Sequence, residues 1–303
     1  MTHPTPRIEQ LPVNGVRLQT FDWGGEGPAV VFLAGYANTP HVFAHMVGSF
    51  LDRFRVVGLS RRAHGTSEQP KNGYDVEILS GDIVAFLDAR GIERASFVGH
   101  SFAGYEMCEL ATVHPDRVGK LVFLDALYRY EEGDAALFAE SPLPTPDPPP
   151  ETFESLDAYC ADFVARYPAY RRLRSPRWDA IWAHGLERTD DGRLRERIRP
   201  ETARQLYEGR AAYRPDYAAI RCPVQSLHAF QDESWSLPDD ADEALRTAMK
   251  TYNDRVNAEF KMRCVQEARD DIADVGIVEL HGASHYCFFD REAEVVEAVL
   301  RFL

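Results

Sequence analysis

A chain of 303 residues, 45% hydrophobic and 27% charged, has an ordinary globular composition with enough apolar mass for a large core. Its formal net charge of -14 repels phosphate backbones and anionic lipid heads, which argues against nucleic acid and membrane surfaces as partners. Length alone allows one large α/β domain with an insertion, or two domains.

The segment Met1 to Asn14 has three prolines and no apolar core of a signal peptide, and no stretch approaches 18 apolar residues. A cytoplasmic location is therefore expected. Ile8 to Val13 and Val16 to Phe21 flank Asn14-Gly15, a pair suited to the positive φ angles of a tight hairpin turn. After the break at Gly24 to Pro28, Ala29 to Leu33 is a continuous apolar run, as in a strand buried on both faces of a parallel sheet. Thr39 to Leu51 has a helical pattern, and Arg55 to Leu59 is a second buried strand. Asp75 to Arg90 carries Val76, Leu79, Ile83, Phe86 and Leu87 at helical spacing, and Gly91 ends it. Ala95 to Val98 reads as a strand, the following Gly-His-Ser-Phe-Ala-Gly leads into a helix to about Val113, and Lys120 to Leu124 is another strand.

Alternating strands and helices predict an α/β fold, a mostly parallel central sheet with helices on both faces. The alternation stops at Tyr128 and resumes after Tyr217, which predicts a core of residues 1–127 and 218–303 with an inserted helical cap at 128–217. The insertion begins with a proline-dense stretch, Ser141 to Pro150, read as a stiff loop in preference to a ligand for a proline-binding module. The later elements are a strand at Pro223 to Ala229, a long helical region at Pro238 to Arg269, a strand at Gly276 to Leu280 and a helix at Arg291 to Leu303. The five cysteines form no C-x-x-C pair and are odd in number, against a disulfide framework or a structural zinc site.

Gly99-His100-Ser101-Phe102-Ala103 sits between a buried strand and a helix. A serine at such a turn projects above the carboxyl ends of the strands, and small residues two before and two after it avoid clashes. The helix N-terminus beside it favours negative charge. A serine hydroxyl is a weak nucleophile until a base takes its proton and a carboxylate orients the base. Asp232 follows the strand at 223–229, and His285 follows the strand at 276–280, so parallel strands place both on the edge that carries Ser101. Asp125, at the end of the strand 120–124, is the alternative acid.

These segments resemble the serine-hydrolase, esterase-like branch of the α/β-hydrolase superfamily. The likeness extends to Leu33-Ala34-Gly35-Tyr36, Arg62 to Ser67, Cys222-Pro223 and Gly282-Ala283-Ser284-His285. It implies Ser101 as nucleophile, His285 as base and then acid, Asp232 as orienting carboxylate, and the backbone N–H groups of Tyr36 and Phe102 as the oxyanion hole. The chain departs from the family at Ala34, where histidine is frequent, and at Ser60 and Ala63, where relatives often carry aspartate and glycine.

Other candidates carry plainer readings. His100 is expected to pack and His64 to make a structural hydrogen bond. His41 and His45 lack a third metal ligand, and Gly24 to Gly27 lacks the lysine of a phosphate loop. No cofactor and no metal are expected. Tyr36, Phe102, Trp235, Tyr286 and Trp182 are candidate pocket walls, and aromatics in the insertion suggest an apolar or aromatic substrate portion.

The expected function is hydrolysis of a carboxylic ester or lactone through an acyl-enzyme, with a small molecule as substrate. Alternatives are C–C bond hydrolysis, amide hydrolysis or cofactor-free perhydrolysis by the same residues, or a non-catalytic ligand-binding protein on this scaffold. Ser101 argues against epoxide hydrolases and haloalkane dehalogenases, which usually carry aspartate at that turn. The oligomeric state is open, with a homodimer among the options.

Overall fold

The structure is a computed structural model and describes residues 4–303; the first three residues of the expected core segment lie outside it. Strands β1 (Arg7–Val13) and β2 (Val16–Gly24) form the predicted hairpin, with Asn14 at φ 47° and Gly15 at φ 75° in its turn. β3 (Ala29–Leu33), β4 (Arg55–Leu59), β5 (Ala95–His100) and β6 (Val118–Leu124) follow, with helix α1 (Val76–Ala89) before β5 and α2 (Ala103–Val113) after it. The segment after β6 holds α3 (Asp134–Ala139), α4 (Leu156–Arg166), α5 (Pro176–Ala183), a small hairpin of β7 (Leu186–Arg188) and β8 (Leu194–Glu196), and α6 (Pro200–Ala212). The insertion therefore contains a two-stranded ribbon as well as helices. The core resumes with β9 (Val224–Phe230), α7 (Glu243–Arg255), α8 (Met262–Asp271), β10 (Val275–His281), α9 (Cys287–Asp290) and α10 (Glu292–Phe302).

Eight strands make one sheet in the order β1-β2-β4-β3-β5-β6-β9-β10. It is parallel from β4 to β10, with the antiparallel β1–β2 hairpin at one edge. Side chains alternate across a strand, so each run divides between two cores. Val30 and Phe32 of β3 join the core under α10, with Val295 and Val299. Val31 and Leu33 join the opposite core under α1 and α2, with Phe86, Leu87, Met107 and Leu110. Burial on both faces is why these strands read as unbroken apolar runs.

Two predicted helices differ. Thr39 to Leu51 forms only short 3-10 turns at Pro40–Phe43 and Val47–Ser49. Gly48 weakens α-helix formation there, while Val42, Phe43, Met46 and Phe50 are fully buried, so packing sets the local path. The region from Pro238 to Arg269 is two helices joined by a π-helical turn at Val256–Lys261. Such wide turns frequently occur at functional sites. This one coincides with the point where Phe260 and Lys261 reach the cavity beside Ser101.

The turn from β5 into α2 depends on Gly104. A Cβ at this position stands 2.0 Å from the carbonyl oxygen of Ala126, so its absence lets α2 approach the chain just past β6. Gly104→Val is expected to lower stability by about 3 kcal/mol through this backbone clash. Urea unfolding checks it; an unchanged midpoint contradicts the close approach.

Candidate active site

Ser101 occupies the strand-to-helix turn with φ 54°, a left-handed conformation that costs a non-glycine residue on the order of 1 kcal/mol. Gly35 lies against it: a Cβ there stands 3.0 Å from Ser101 Cβ and 2.9 Å from His100 Nδ1. Ser101 Oγ is 2.9 Å from His285 Nε2. His285 Nδ1 is 2.6 Å from Asp125 Oδ2. An ionised carboxylate only accepts, so Nδ1–H donates to Asp125 and leaves Nε2 to accept the Ser101 hydroxyl proton.

The residue facing His285 is thus Asp125, and the expectation for Asp232 is not met. Asp232 is exposed and caps the short turn Glu233–Trp235, its Oδ1 accepting from the Ser234 backbone N–H at 2.9 Å. The reason is positional. Asp125 directly follows β6, the neighbour of the strand that carries Ser101, and is buried. Asp232 begins a polar loop one strand further away, where its carboxylate is exposed and accepts from Ser234.

The buried Asp125 carboxylate is fully partnered. Oδ1 accepts from the Ala229 backbone N–H at 2.8 Å, from the Tyr128 hydroxyl, and from Lys261 Nζ at 3.2 Å. Lys261 also donates to the Ala229 carbonyl. Burial opposes ionisation of Asp125, but the Lys261 ammonium and the hydrogen bonds from His285 and Tyr128 outweigh it and hold the carboxyl well below the usual range.

Tyr36 and Phe102 bracket Ser101, and among the described residues neither backbone N–H donates to a protein acceptor. Both groups are held by Arg61. Its guanidinium donates to the carbonyls of Ala34 (2.6 Å) and Gly35 (3.0 Å) and forms a two-point pair with Glu106 of α2 at 2.9 and 2.7 Å. Its Cζ also lies 4.9 Å from the Phe102 ring centroid. His100 is buried, which keeps its ring neutral by pushing its pKa well below the ordinary histidine value. Its Nε2–H then donates to the His285 carbonyl at 2.9 Å, fixing the backbone of that loop. His64 donates Nδ1–H to the Arg62 carbonyl at 2.9 Å.

A cavity of about 400 Å³ lies over Ser101, Asp125 and His285. Tyr36 and Phe102 line it as expected. Trp235, Tyr286 and Trp182 do not. Trp235 turns inward and its Nε1–H donates to the Gly282 carbonyl at 2.9 Å. Tyr286 is buried against Trp178 and accepts from Asn38 Nδ2 at 2.9 Å. Trp182 packs on Phe163, with ring centroids 4.2 Å apart, inside the inserted segment. All three rings are drawn away by burial, and the polar tips of Trp235 and Tyr286 find partners there. The walls instead include Tyr170 and Tyr207 from the insertion, and Phe260. Burial pushes the Tyr170 hydroxyl up to about 12, so it stays protonated at neutral pH.

Sequence reasoning missed Lys261, Tyr128, Arg61 and Glu106. Glu106 had a legible signal, a carboxylate inside the apolar run of α2; the others had none in local pattern.

This architecture is that of a recognisable fold family. Residues 28–240 match the alpha/beta hydrolase fold family, and the chain belongs to that family. It is 33% identical over 128 residues to epoxide hydrolase A of Mycobacterium tuberculosis, a stretch covering 41% of this chain and 39% of that protein. It is 28% identical over 144 residues to 2-(acetamidomethylene)succinate hydrolase of Mesorhizobium japonicum, covering 48% and 50% respectively. The matched stretches thus span half or less of those relatives. A crystal structure of E-2-(acetamidomethylene)succinate hydrolase superposes with a TM-score of 0.73 over 98% of each chain at 21% identity, a likeness of fold. Among the described residues, no helix is long and apolar enough to cross a membrane.

The Lys261–Asp125 pair has a pH signature. The folded-state pKa of Asp125 lies below its unfolded value of about 4, so its stabilisation is fully present above that pH and is lost progressively as pH falls. Lys261→Met is expected to be about 3 kcal/mol less stable at pH 7. Urea unfolding should show this deficit shrinking below about pH 4. Equal deficits at both pH values contradict the assignment.

Proposed function

We propose that this family member is a serine hydrolase that cleaves a carboxylic ester or lactone through an acyl-enzyme. The observation that carries the reading is the hydrogen-bonded series from Ser101 through His285 to the buried Asp125, open to a cavity at the Ser101 end. In this reading Ser101 Oγ attacks the substrate carbonyl as its proton passes to His285 Nε2. Asp125 stabilises the resulting imidazolium and holds its orientation. The N–H groups of Tyr36 and Phe102 receive the negative charge of the tetrahedral intermediate, each contributing about 3 kcal/mol. Collapse expels the alcohol, which takes the proton from His285; in a lactone that alcohol stays attached to the acyl group. Water, deprotonated by His285, then attacks the acyl-enzyme, and Ser101 recovers its proton as the acid departs.

The aromatic cavity supports an apolar or aromatic substrate portion, and its volume supports a small molecule. Ser101 stands where an alkyl-enzyme mechanism would need a carboxylate, so the epoxide activity named for one relative is not carried over.

Treatment with a fluorophosphonate should place one adduct on Ser101 and none on Ser101→Ala; an unlabelled wild-type protein overturns the reading. Asp125→Asn should lower kcat on activated esters by about 10³-fold or more, because the amide holds the wrong imidazole tautomer. Asp232→Asn should change kcat by less than about threefold, as expected of an exposed loop carboxylate. The opposite ranking of the two variants restores Asp232 as the acid.

A further inference from the structure

The cavity over Ser101 holds a positive charge that the protein leaves unanswered. Apart from its tyrosines, its ionisable side chains are Asp125, His285, Lys261 and Arg210. Lys261 and His285 both engage the Asp125 carboxylate. Arg210, in the last turn of α6, has a guanidinium that makes no hydrogen bond or ion pair with any described residue. Its Cζ lies over the rings of Tyr130 (5.0 Å), Tyr207 (5.6 Å) and Tyr105 (6.0 Å). Ring faces steady a cation but satisfy none of its five N–H donors in directed hydrogen bonds.

No carboxylate among the described residues pairs with Arg210. A second cavity of about 680 Å³ shares Arg210, Tyr105, Tyr130 and Phe138 with the first; of its acidic wall residues, Glu131 and Asp134 are held by Arg263 at 3.2 and 2.6 Å, and Glu132 is exposed to water and forms no ion pair with Arg210. With Asp125 neutralised by Lys261, Arg210 leaves the cavity net positive in a chain whose formal charge is -14. Tyr207, over which Arg210 lies, also packs on Tyr36 at 5.1 Å, and Tyr36 carries one of the two free N–H groups beside Ser101. A single small molecule spanning this cavity touches Ser101 at one place and Arg210 at another.

We infer that Arg210 is the docking point for a carboxylate, so that the ester or lactone presented to Ser101 carries a second, free carboxylate. A guanidinium takes a carboxylate by two parallel, charge-assisted hydrogen bonds, and the tyrosine rings hold it ready to do so. The inference rests on the serine-hydrolase reading of the same site and adds the substrate class to it.

The test compares p-nitrophenyl hydrogen glutarate with p-nitrophenyl valerate, esters of equal acyl length that differ in the terminal carboxylate. Wild-type protein is expected to favour the glutarate in kcat/KM by about 10- to 100-fold. The ratio should fall to about three or less in Arg210→Met and take an intermediate value in Arg210→Lys, which keeps the charge but loses the two-point geometry. Calorimetry on Ser101→Ala, which cannot turn over, should show tighter binding of the glutarate ester. A wild-type ratio near one, or a ratio unchanged in Arg210→Met, overturns the inference. If Arg210→Met does not fold, the wild-type ratio and the Ser101→Ala binding decide. Selective binding by Ser101→Ala with no fluorophosphonate adduct on wild type sinks the hydrolase reading alone. Adduct formation without carboxylate preference sinks the Arg210 assignment alone.

Discussion

The hydrogen bond between His285 Nδ1 and the buried carboxylate of Asp125, 2.6 Å long, is the contact on which the site is organised. It sets which imidazole nitrogen carries the proton and therefore whether Nε2 is free to accept from Ser101. Asp125 sits in a left-handed conformation, φ 47°, immediately after β6, as Ser101 does immediately after β5. Two strained residues at the ends of adjacent strands are held by what packs around them. Gly104 permits the close approach of α2 to Ala126, and His100 ties down the His285 carbonyl.

A charge placed this deep must be compensated. Asp125 receives a backbone N–H from β9, the Tyr128 hydroxyl and the Lys261 ammonium, while Arg61 and Glu106 compensate each other on the opposite flank of Ser101. Buried pairs are poor evidence of net stability, since desolvation offsets much of their attraction. Their value here is positional. Arg61 links the loop at Ala34 and Gly35 to α2, so the two free N–H groups keep a fixed separation. Lys261 reaches Asp125 from the π-helical turn between α7 and α8.

The sheet was legible because strands buried on both faces must be continuous apolar runs, and Ala29 to Leu33 and Arg55 to Leu59 match the observed strands to the residue. Ser101 and His285 were legible because a strand end fixes where its loop begins. The choice between two aspartates was not settled by strand order. The better signal lay in the immediate neighbours: Asp125 interrupts the apolar run Leu121 to Leu127, which forces it inside, whereas Gln231, Glu233 and Ser234 mark Asp232 as solvated. The cavity walls were harder to read. Trp235 and Tyr286 adjoin the site in sequence but point into the core, and apart from Phe102 and Tyr105 the rings that do line it come from chain segments far from Ser101. Lys261 and Arg210 depend on the same long-range packing, which no local period encodes.

The central claim is that Asp125 and His285 share the proton that orients the imidazole. A short hydrogen bond from a ring N–H to a buried carboxylate shifts that proton to low field in a ¹H NMR spectrum, so the resonance reports the bond without any assumption about substrate. The account predicts a low-field exchangeable signal in the wild-type protein that persists in Asp232→Asn and disappears in Asp125→Asn. A signal that survives in Asp125→Asn and is lost in Asp232→Asn would contradict it.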